Sequence, residues 1–145
     1  MTVKHLEHVG IVVDDLASAT AFFTALGLEV EGEVSVEGGL VDRINGLEGV
    51  QADIVILRTP GDSSKLELAK YHSPTYDGDA APAPANVPGI RHVLFVVDDI
   101  QASLVALREH GGELVGELVN YEDSYWLCYL RGPAGIIVEL AEKIT

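Results

Sequence analysis

Four residues of this chain join ligand-type chemistry to a repeated spacing: His8, Glu67, His92 and Glu139. His8 opens "HVGIVVDDL", and His92 opens "HVLFVVDDI" 84 positions later (92 − 8). Glu67 sits in "KLELA" and Glu139 in "IVELA". Two neutral imidazoles and two carboxylates offer nitrogen and oxygen donors suited to one divalent ion, and Zn, Ni, Co, Mn and Fe all accept such a set. Four protein ligands leave a five- or six-coordinate ion open to water or to a substrate oxygen. Taken singly, a histidine at a strand start or a glutamate in a strand is ordinary. A His–Glu pair written twice in the same order is improbable by accident.

The elements that must position these residues repeat with them. "HVGIVV" and "HVLFVV" are rich in β-branched residues and predict strands. The "DD" that follows offers a helix N-cap, from Asp14 or Asp15 and from Asp98 or Asp99. "LASATAFFTALG" and "IQASLVALREHGG" then show helical spacing and close on glycine, with Leu16, Ala19, Phe22, Phe23 and Leu26 as one apolar stripe and Ile100, Leu104 and Leu107 as the other. "ADIVILRT" and "SKLELAKY" predict strands joined by a "PGDSS" turn; "DSYWLCYLR" and "GIIVELAE" predict strands joined by "GPAG". His8 to Glu67 spans 59 positions (67 − 8) and His92 to Glu139 spans 47 (139 − 92), so the first copy is longer, with "DRINGLEG" as the place for the excess. The stretch 73–89 holds four of the six prolines and predicts a linker.

The fold class that follows is α+β: two tandem βαβββ modules, 1–72 and 90–145, forming one domain with a curved mixed sheet around a cleft. Alternation along strands puts equivalent residues of a repeat on equivalent faces, so a pseudo-twofold would converge His8, Glu67, His92 and Glu139 on one point. The same alternation puts Tyr125, Leu127 and Tyr129 on one face and Trp126 and Cys128 on the other, with Tyr125 and Tyr129 as candidate lining of a substrate pocket. His5 and His72 fall on the opposite parity to His8 and Glu67, and His110 ends the second helix.

Composition narrows the partners. With 9 basic and 23 acidic side chains, the net charge of −14 argues against nucleic acid and against an anionic membrane surface, and leaves a small-molecule substrate. No apolar run approaches the ~20 residues needed to cross a bilayer. The opening "MTVKHLEHVG" has no signal-peptide apolar stretch. The single cysteine, Cys128, reads as a small buried apolar residue in "YWLCYL" and fits a reducing compartment; the expectation is a cytoplasmic protein.

The sequence resembles the vicinal oxygen chelate superfamily, which includes glyoxalase I, methylmalonyl-CoA epimerase, extradiol dioxygenases and the bleomycin and fosfomycin resistance proteins. The features that carry the resemblance are "HVGIVVDDL", "KLELA", "HVLFVVDDI" and "GPAGIIVEL", across nearly the whole chain. The resemblance implies that each module supplies two ligands, on His8, Glu67, His92 and Glu139, a set similar to that of bacterial glyoxalase I. It implies a divalent-metal-dependent lyase, isomerase or epimerase working through an enediolate, with Glu139 as the leading base and Glu67 as its counterpart. It also implies a homodimer, with modules paired within or between chains. An antibiotic-sequestering protein and an extradiol-type dioxygenase are the alternatives. The sequence departs from the family pattern at "RGPAG", where Arg131 and Gly132 replace an acidic start. No counterpart of the glutathione-binding residues of glyoxalase I is evident, and Arg43 and Asn45 of "DRING" are the candidates for holding a substrate carboxylate or amide.

Overall fold

The β-branched run after His8 forms β1 (His8–Val12). Of the two aspartates that follow, Asp15 caps α1 (Leu16–Leu26): its carboxylate accepts from the Ser18 backbone N–H at 3.0 Å. The helix stops at Gly27, whose φ of 121° is open to glycine and strained for other residues. β2 (Glu29–Glu37), α2 (Gly39–Asn45), β3 (Gln51–Arg58) and β4 (Lys65–Ser73) follow. These coordinates are a computed structural model that describes residues 1–61, 63–80 and 82–145. Asp62 of the predicted "PGDSS" turn and Ala81 of the predicted linker lie outside the described residues. The chain divides into two compact units, residues 1–79 and 80–145.

In the first unit the strand order is β1-β4-β3-β2. β1 and β4 run parallel, and the other neighbours run antiparallel, so the sheet is mixed. Helix α1 covers one face. Ala19, Phe22 and Phe23 are buried against a sheet whose Val55, Leu57, Leu66 and Leu68 are buried too. Burying each large side chain contributes about 1.5–3 kcal/mol. Leu16 and Leu26, at the two ends of the stripe, are only half-buried. The residues that lengthen the first copy form α2 and its flanks, between β2 and β3.

The second unit repeats the plan: β5 (His92–Val96), α3 (Ile100–Glu109), β6 (Glu113–Leu114), β7 (Val119–Tyr121), β8 (Tyr125–Arg131), a 3-10 turn (Pro133–Gly135) and β9 (Ile137–Lys143). Its order is β5-β9-β8-β6, with β7 also on β8. β5 and β9 are parallel. Asp99 caps α3 by accepting from Ala102 N–H at 3.0 Å, and Glu142 accepts from Ile100 N–H at 2.7 Å. Ile100, Leu104 and Leu107 are buried, as their spacing predicts. One strand of the first unit (β2) corresponds to two fragments here, because the chain leaves the ladder after Val115, whose N–H still donates to Tyr129 O at 2.9 Å, and rejoins it at Val119. Among the described residues no helix is long and apolar enough to cross a membrane.

Candidate metal centre

Strand register fixes where the four ligand-type residues stand. In the first unit His8 is the Cα partner of Lys65, and Glu67 is the partner of Gly10. In the second, His92 partners Ile137, and Glu139 partners Leu94. In both units, then, the glutamate lies two residues along from the position opposite the histidine. Two steps along a strand return to the same face, so each histidine meets its glutamate diagonally across a parallel pair. The face they share is the one away from the covering helix. Leu68 and Leu140, each one residue past its glutamate, point into the core with no measurable exposure.

The side chains close these diagonals. His8 Nε2 lies 3.0 Å from Glu67 Oε2, and His92 Nε2 lies 3.4 Å from Glu139 Oε1. Nitrogen and oxygen donors each held about 2.0–2.2 Å from one ion stand roughly 3 Å apart when adjacent in its coordination shell, so both pairs fit as neighbouring ligands. All four side chains keep contact with solvent, with Glu139 the least exposed at 15%. Each unit thus presents a two-donor pair; among the described residues no group of three or more His, Cys, Asp or Glu side chains is gathered as a metal site.

The opposite ring nitrogens have partners as well. Glu7 Oε2 is hydrogen-bonded to His8 Nδ1, and its other oxygen lies 3.5 Å from Lys65 Nζ. The His8 bond holds the Glu7 carboxyl below its ordinary value. At His92, the Tyr129 hydroxyl stands 3.5 Å from Nδ1, and the two rings lie 5.1 Å apart. Tyr129 is the Cα partner of Glu139, on the same face. Tyr125, four residues earlier, shares that face beside Tyr121 of β7.

Arg43 and Asn45 stand on α2. A helix occupies the place where sequence reading gave a substrate grip or a turn. Asn45 accepts from the Tyr71 hydroxyl at 2.6 Å and donates to Val41 O at 2.9 Å, so its amide is engaged within the unit. Arg43 is exposed on the same helix. Asp42 fixes the end of the loop by accepting from Gly49 and Val50 N–H. His72 lies on the other face of β4 and contacts Asp53 at 2.8 Å, while Asp53 also accepts from Ser35. His5 is exposed ahead of β1, and His110 is the C-cap residue of α3. Cys128 is buried, and burial pushes its thiol up. Arg131, at the departure from the family loop, donates to Gly135 O at 2.9 Å and braces the turn before β9.

Strand alternation could not reveal Glu7, because its contact is with an adjacent residue and depends on side-chain rotamers. The Tyr129–His92 contact had a signal in parity alone, and the Tyr71–Asn45 bond had none.

Residues 7–129 match the model of the Glyoxalase/Bleomycin resistance protein/Dioxygenase superfamily. The chain belongs to this superfamily. A glyoxalase family protein from Bacillus cereus is 40% identical, covers 100% of this chain and 97% of its own, and superposes with a TM-score of 0.95. The trypanothione-dependent glyoxalase I of Leishmania major is 19% identical over 97% of this chain and 87% of its own, with a TM-score of 0.65. TnmS3, an antibiotic binding protein from Streptomyces sp. CB03234, is also 19% identical, over 99% of this chain and 98% of its own, with a TM-score of 0.62. The latter two likenesses show the superfamily fold alone, and the superfamily spans enzymes and binding proteins.

Proposed function

We propose that this protein is a divalent-metal-dependent lyase, isomerase or epimerase of glyoxalase type, acting on a carbonyl compound oxygenated at the α carbon. The observation that carries the reading is the duplicated His–Glu pair, built in both units on the same strand register. In this proposal the two modules act as one domain, and His8, Glu67, His92 and Glu139 share one ion. An ion held there would supply Lewis acidity, stabilising the enediolate left when a carbon beside a carbonyl loses its proton. The protein's own part is proton transfer. Glu139 takes the proton and returns it to the same carbon in an epimerisation, or to the next in an isomerisation. Glu139 is the less exposed of the two glutamates, at 15% against 29% for Glu67, and its Cα partner is Tyr129 of the same aromatic face. Tyr125 and Tyr129 line the same face and give a substrate an aromatic wall, and Arg43 supplies a cation for a substrate carboxylate.

A second reading has its own support. Tyr121 and Tyr125 are exposed side by side on the Glu139 face, and TnmS3 shares the fold, so sequestration of an aromatic antibiotic is the alternative. Metal-loaded protein is to be assayed with a 2-oxoaldehyde in the presence of several thiols, and with an acyl thioester bearing an epimerisable α carbon. Turnover that falls at least ~100-fold in Glu139→Gln supports the enzyme. No turnover together with tight binding of an aromatic antibiotic supports sequestration, and oxygen uptake with a catechol supports ring cleavage. The proposal includes a homodimer, which light scattering reads directly.

A further inference from the structure

The two half-sites match in their donors and differ in what holds the histidine from behind. His8 Nδ1 is bonded to the Glu7 carboxylate. An ionised carboxylate only accepts, so this bond requires a proton on Nδ1, and an ion on the Glu67 side would take the Nε2 lone pair in place of any proton shared with Glu67 there. Glu7 is itself held: its second oxygen is 3.5 Å from Lys65, and Lys65 is anchored to Glu31 at 3.0 Å. Lys65 is the Cα partner of His8, so the strand pairing that places Glu67 also places the brace for Glu7.

In the second half-site, no carboxylate among the described residues braces the His92 ring from behind. The residue before His92 is Arg91, which carries no acceptor. The group near His92 Nδ1 is the Tyr129 hydroxyl, at 3.5 Å, the outer limit of a hydrogen bond. A phenol both donates and accepts. When it donates to Nδ1 it favours the tautomer with the proton on Nε2, which opposes an ion there.

We infer that Glu7 is a positioning residue for the metal, making His8 the pre-set donor and His92 the adaptable one. This rests on the metal reading proposed above. A carboxylate behind a metal-bound imidazole orients the ring and raises its basicity, and losing such a partner typically costs about 10–100-fold in metal affinity.

Titration of the full-length protein with Co2+, for the wild type and for Glu7→Gln, Glu7→Asp and Tyr129→Phe, tests this. Glu7→Gln should weaken binding about tenfold or more, Glu7→Asp should recover most of the loss, and Tyr129→Phe should stay within about threefold. In the proton NMR spectrum of the Co2+-loaded protein, one hyperfine-shifted, solvent-exchangeable ring N–H signal should be sharp in the wild type and broadened away in Glu7→Gln. Thermal unfolding of the metal-free forms should be alike, because Glu7 is an exposed side chain outside the core. Glu7→Gln binding within about twofold of wild type, or Tyr129→Phe costing as much as Glu7→Gln, would overturn the inference while leaving the metal reading intact. A wild type that takes up no Co2+ would instead overturn both.

Discussion

Glu139 and Leu140 are neighbours in β9, and the alternation of the strand assigns one to the open face and the other to the core. Leu140→Ala should cost about 2–5 kcal/mol in urea unfolding, because a fully buried side chain leaves a cavity. Glu139→Gln should stay within about 0.5 kcal/mol in the same experiment, as a half-buried polar change away from the core, while lowering bound metal sharply. A Leu140→Ala variant as stable as wild type would contradict the strand assignment. Cys128 gives a second check from the helix-covered face. Its raised thiol pKa leaves it neutral and shielded at pH 8, so a disulfide reagent should label it far more slowly in folded than in unfolded protein. Parity made these roles readable: Cys128 and Tyr129 fall on opposite faces in the structure as the sequence predicts. Glu7 was not readable, since nothing in periodicity says which way an exposed glutamate turns beside its neighbour.

At the scale of elements, the duplicated "DD" marks both helix starts, and in both copies the second aspartate is the cap. Asp99→Ala should cost about 1 kcal/mol. Asp15→Ala should lower the melting temperature in a pH-dependent way. The Asp15 carboxyl is held below its ordinary value, chiefly by the Ser18 backbone N–H. A group with a depressed folded-state pKa stabilises the fold above its unfolded value and loses that contribution as pH falls through the folded value. The gap between wild type and Asp15→Ala should therefore be full at pH 7 and vanish in strong acid. A gap that persisted below both values would rule out the charged cap. β1, β3, β4, β5, β8, β9 and both long helices were legible from their periods and the turn signals around them, whereas β2 (Glu29–Glu37) was implied only by the βαβββ plan, with no stretch assigned to it. Two further features were not legible. The seven-residue α2 is too short to show a helical period, and it closes on Gly46 in the left-handed region. The break between β6 and β7 follows from a departure of the chain from the ladder, which the apolar pattern of "ELVGELVN" does not mark.

For the whole molecule, the repeat is the organising fact. Two units of the same plan each carry one His–Glu pair, and an overall charge of −14 favours a cation as the partner of these pairs. In the proposed function both pairs serve one ion. Metal content, measured by mass spectrometry after loading with Ni2+ and removing the excess, tests it most directly. Wild type should hold about one ion per chain, as for a single N/O site, with His8→Ala and His92→Ala each falling below about a tenth of that value because either loss would break a shared shell. Two ions per chain, a wild type holding almost none, or undiminished binding in either variant would contradict it.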